Sequence, residues 1–96
     1  MLAGGDHLRS AAELLADWSG DRDVLLKSAQ HFWSAAFDAP EWPEHLRSSY
    51  DRIIPLLLAH GTVANTVPAL NDEDARRLAD DISAFSREAL AGDGDP

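Results

Sequence analysis

Apolar residues recur along this chain at intervals of three and four, the period of an α-helix. Nowhere do they alternate over a length that would make a strand. Four segments carry the pattern. The first, about 7–18, places Leu8, Ala11, Ala12, Leu15 and Trp18 on one face, with Asp6 as its cap and Gly20 past its end. The second, about 22–37, is capped by Asp21. It aligns Leu25, Ala29, Phe32 and Ala36, flanked by Leu26 and Trp33, against Asp23, Lys27, Gln30 and Ser34. The third begins at Pro43, a residue suited to the first helical position, and aligns Leu46, Tyr50, Ile53 and Leu57 until His60 and Gly61 close it. Pro55 lies inside this segment, where its missing N–H predicts a kink. The fourth follows the cap Asn71 and buries Ala75, Leu78, Ala79, Ile82, Phe85 and Ala89.

The breaks between them fall at 19–21, 38–43 and 61–71, and the pattern stops at Gly92. The prediction is an all-α fold, a four-helix up-down bundle with a kinked third helix. It forms one domain over residues 6–91, between a flexible N-terminus (1–5) and a flexible tail (92–96). A chain of 96 residues is long enough to bury a core without staples.

Charge narrows the partners. With 17 acids against 8 basic residues the net charge is −9, which repels a phosphate backbone and argues against nucleic-acid binding. The absence of cysteine removes disulfides, thiolate metal sites and thiol nucleophiles together. No apolar run approaches a membrane span, and "MLAGGDHLRS" lacks the basic start and apolar core of a secretory signal. The expectation is a cytoplasmic protein with no membrane partner.

The stretch "HFWSAAFDAPEWPEH", residues 31–45, is the densest in candidate chemistry. Asp38, Glu41, Glu44, His45 and His31 are ligand types that divalent cations use. Helical geometry sets them apart, however. His31 is expected on the side of the second helix away from Phe32 and Ala36 and therefore in solvent, and Pro43 interrupts the Glu41–His45 spacing. The stretch reads as a packed corner, in which Trp33 is core and Phe37 and Trp42 close the turn. Trp33→Ala is then far more costly than His31→Ala. His60 suits a helix C-terminus, while His7 and His45 fall in first turns as surface residues. No phosphate loop, nucleophile elbow or helical metal motif is present, so neither an enzyme nor a bound metal or cofactor is expected.

What the predicted fold leaves over is apolar. Within "RIIPLLLAHGTVANTVPAL", Leu56 stands well round from the buried stripe, and Val63 and Val67 occupy a connection where polar residues are usual. Leu56, Val63 and Val67 are therefore the candidate contact surface of a protein–protein interaction module, in the simplest case a homodimer. The alternative is a helical bundle that binds a small ligand or metal, with possible catalysis.

Overall fold

The computed structural model describes residues 5–35 and 40–93, and these contain five α-helices and no strand. They are α1 (Gly5–Ala16), α2 (Arg22–Ser34), α3 (Glu44–Leu57), α4 (Val63–Ala69) and α5 (Asp72–Asp93). The all-α class stands. The count of four helices does not, because the connection after Gly61 contains a helix of its own. Ala36, Phe37 and Asp38, placed by sequence in or beside the second turn, lie outside the described residues, as do residues 1–4 and 94–96 of the two ends.

The caps explain where helices begin. Asp21 accepts the N–H of Asp23 at 2.9 Å and opens α2. Asn71 accepts the N–H of Asp74 at 2.7 Å and opens α5. Pro43 stands one step outside α3 as its cap, its carbonyl taking the N–H groups of Leu46 and Arg47. Gly20 and Gly61, with φ of 105° and 93°, supply the left-handed backbone of the turns after α1 and α3.

Residue pairs fix the helix directions. Ser28 donates to the Ala11 carbonyl at 2.9 Å, and the Trp18 indole N–H donates to the Asp21 carbonyl at 2.7 Å, so α1 and α2 run antiparallel. Trp42 meets Phe85 at one end of the α3–α5 pair, and Leu56 and Leu78 line one hollow near the other, so these two helices also oppose each other. Phe32, Trp42, Tyr50 and Phe85 form one aromatic cluster in the core, with Phe32 stacked on Tyr50 at 4.7 Å. The stretch around Trp42 is thus a packed corner.

Two assignments in that corner are reversed. Trp33 is 38% exposed, and His31 is the more enclosed of the pair. About Phe32 as centre, His31 and Trp33 lie at equal angles on opposite sides of α2. The neighbouring helix decides between them, and α1 covers the His31 side.

The connection α4 corrects the candidate contact surface as well. Thr62 caps it by accepting the N–H of Asn65 at 3.1 Å, and Val63, Thr66 and Val67 share its inner face. Val67 is fully buried and Val63 is 6% exposed. Both are core residues, turned inward because the segment coils as a helix instead of crossing as an extended loop. Arg22 holds α4 in place. It donates to the carbonyls of Val67 (3.1 Å) and Leu70 (2.7 Å) and pairs with Asp72 (2.9 Å). No helix in the described residues is long and apolar enough to cross a membrane.

Candidate interaction site

Leu56, unlike Val63 and Val67, stands open to solvent. It is 44% exposed, and with Trp33 it is one of the two large apolar side chains left open among the described residues. It stands at the rim of a hollow of ≈ 260 Å³ between the end of α3 and the start of α5, over Leu70 and Leu78. Ala59 and His60 border it on one side, Asp74 and Arg77 on the other.

The hollow is one end of a longer seam. From Leu46 as zero, the buried residues of α3 stay within about 40°, while Ser49, Arg52, Leu56 and Ala59 fall about 60–140° to one side. On α5 the stripe Asp74, Arg77, Asp81, Ala84 and Glu88 recurs at three and four residues along the facing edge. Further along the same seam lies a second hollow of ≈ 330 Å³, lined by Ser49, Arg52, Ile53, Asp81, Phe85 and Glu88 among others. The seam therefore combines an apolar knob, small side chains that admit a close approach, and charges of both signs. Arg52 and Arg77 stand among Asp74, Asp81 and Glu88, a more even balance than the 8 to 17 of the whole chain.

Other features offer less. A hollow of ≈ 520 Å³ at the start of α2 and α5 is lined by Trp18, Arg22, Asp72 and Arg76, but Arg22 there is already engaged with the α4 carbonyls. Tyr50 is buried, and its hydroxyl donates to the Phe32 carbonyl at 2.7 Å. Burial first, and the Asp51 carboxylate second, push its phenol well above the usual value, so it serves as a permanent donor holding α3 to the end of α2. The candidate metal ligands do not converge. Glu41, Glu44 and His45 are exposed at the start of α3, His31 is on α2, and Asp38 lies outside the described residues. Among the described residues no group of three or more potential ligands comes together.

No family model, curated protein or solved structure matches this chain.

Function must then be argued from the seam itself. Sequence reasoning found Leu56 by its angle on the helix wheel but missed Arg52, Arg77, Asp81 and Glu88. In the sequence each reads as an ordinary surface charge until α3 and α5 are known to be neighbours; Arg52, Arg77 and Glu88 are exposed and Asp81 is half-buried. The only advance signal was their three-and-four spacing, which solvated helix faces share.

Proposed function

We propose that this protein is a cytoplasmic, non-catalytic interaction module that self-associates through the α3–α5 seam. In this reading the four longer helices act as an up-down frame, with α3 bent at Pro55 and α4 as a short brace. The observation that carries it is Leu56, an open leucine on an apolar hollow.

Charge complementarity favours a second copy of the chain as the occupant. A two-fold axis along the seam lays α3 of one copy on α5 of the other. Each Arg52 then meets the partner's Asp81 and Glu88, and each Leu56 enters the partner's hollow. A symmetric contact of this kind pairs every charge twice. A stable interface takes about 800 Å² from each partner, roughly one seventh of the 5743 Å² surface of this chain. The two hollows in line give the seam the length such a contact needs.

Leu56→Glu places a charge in the contact. Light scattering should show the wild type as a dimer and the variant as a monomer with its helical circular dichroism retained. Arg52→Glu should weaken the dimer, and adding Glu88→Arg should restore it. A wild type that remains monomeric at high concentration rejects self-association. A Leu56→Glu variant that unfolds shows Leu56 to be core, and the charge-swap pair then decides the matter alone.

A further inference from the structure

The four histidines divide into two kinds. His45 and His60 are exposed at opposite ends of α3 and its following turn. His7 and His31 lie 24 residues apart in sequence, yet their Nδ1 atoms are 3.5 Å apart. The helix register brings them together. Ser28 and Ala11 mark one level of the antiparallel α1–α2 pair. His7 lies four residues before Ala11 and His31 three after Ser28, one turn further along each helix in the same direction.

We propose that His7 and His31 form a two-imidazole site for a borderline divalent cation, Zn²⁺ in particular, with water completing the coordination. Three observations support it. First, zinc binds imidazole nitrogen at about 2.0–2.1 Å, so two nitrogens on a tetrahedral ion sit about 3.3–3.4 Å apart. The observed 3.5 Å is close to that bite. The ring centroids are 5.8 Å apart, so the nitrogens face one another nearly head-on, and both rings must tilt outward to share one ion. His7 is exposed and has the room to do so. Second, His31 occupies the last turn of α2, where the negative end of the helix dipole favours a cation. Third, the chain's charge of −9 raises the concentration of cations at its surface. With two protein ligands the site is open and exchangeable rather than a closed structural centre.

The site lies on the α1–α2 hairpin, away from the α3–α5 seam, so it stands or falls independently of dimer formation. The test is a titration with Zn²⁺ alone, against a chromophoric competitor. Loss of a hydrogen-bond partner behind a metal ligand costs about 10–100-fold in affinity, and loss of a direct ligand costs no less. His7→Ala and His31→Ala should each weaken binding at least about tenfold, while His45→Ala and His60→Ala leave it unchanged. Zn²⁺ should raise the Tm of the wild type and of the two control variants, but not that of the pair variants. Co²⁺ should show the visible bands of nitrogen ligation, lost with either pair variant, and this reports on the site even where a variant shifts stability. Equal affinity across all four variants, or no binding by the wild type, overturns the proposal and leaves the pair as an imidazole–imidazole hydrogen bond between helices.

Discussion

Tyr50 shows how much one side chain can report at the residue scale, because it is the only tyrosine in the chain. Its phenol is held neutral by burial and by Asp51, while the unfolded chain ionises near pH 10. The unfolded state therefore binds fewer protons than the folded state above that pH, and stability falls as pH rises through it. The stabilising hydrogen bond to Phe32 is intact below pH 10 and is lost only on the alkaline side. Tyrosinate absorbance should lag behind the free phenol and appear together with unfolding. The stability of Tyr50→Phe should decline less steeply above pH 10, by up to about 1.4 kcal/mol per unit. Tyrosinate forming near pH 10 in a still-helical protein would show that Tyr50 is open to water. The buried role of Tyr50 was legible in its helix stripe, and so was the corner built by Phe32 and Trp42. The fates of His31 and Trp33 were not, since both flank Phe32 equally and only the position of α1 separates them. Ser28 and Ser86 were equally opaque. Both are fully buried polar residues, the first bonded to Ala11 and the second with no partner for its hydroxyl.

At the scale of elements, α4 is the instructive case. Its signals are present in the sequence: Thr62 as a cap, then Val63, Thr66 and Val67 at three and four residues. Yet it has seven residues and contains Pro68, and a helix that short does not hold in isolation. Its stability comes from tertiary contacts, chiefly its buried face and Arg22, whose partners lie 45–50 residues away. The pair with Asp72 is exposed and worth little. The bonds to two carbonyls matter more, because removing them leaves acceptors unmet at the end of the helix. Arg22→Ala should cost about 1–3 kcal/mol and should speed amide exchange in α4 well beyond that in α1. Uniform acceleration across all helices would mean that Arg22 supports the fold in general and is not the latch of α4. The long helices were legible because a run such as the 22 residues of α5 repeats its period several times over. The short turn at 19–21 also made α1 and α2 legible as antiparallel neighbours, but the pairing of α3 with α5 was not, and the seam depends on that pairing.

At the scale of the whole molecule, the proposed dimer must overcome the charge of its own halves. Two bodies of charge −9 each, with cross-sections of 27 and 17 Å, place their centres roughly 25 Å apart or less. Treated as point charges in water, they repel by on the order of 10 kcal/mol before screening. At 0.15 M salt, with a Debye length near 8 Å, about a twentieth of this survives; at 0.01 M, near 30 Å, it is somewhat under half. Against it stand the paired arginines of the seam, each exposed pair worth about 0–1 kcal/mol. Even four such pairs fall short of the several kcal/mol of repulsion left at low salt. The repulsion is long-ranged and loses most from screening, whereas burial of Leu56 does not depend on salt. The dimer should therefore tighten as salt rises, with Kd falling at least about tenfold between 0.01 and 0.15 M, a change of about 1.4 kcal/mol. Sedimentation at a series of salt concentrations measures this directly. If the dimer tightens at low salt instead, charge pairing and not the apolar groove holds the copies together, and Arg52 replaces Leu56 as the residue on which association rests.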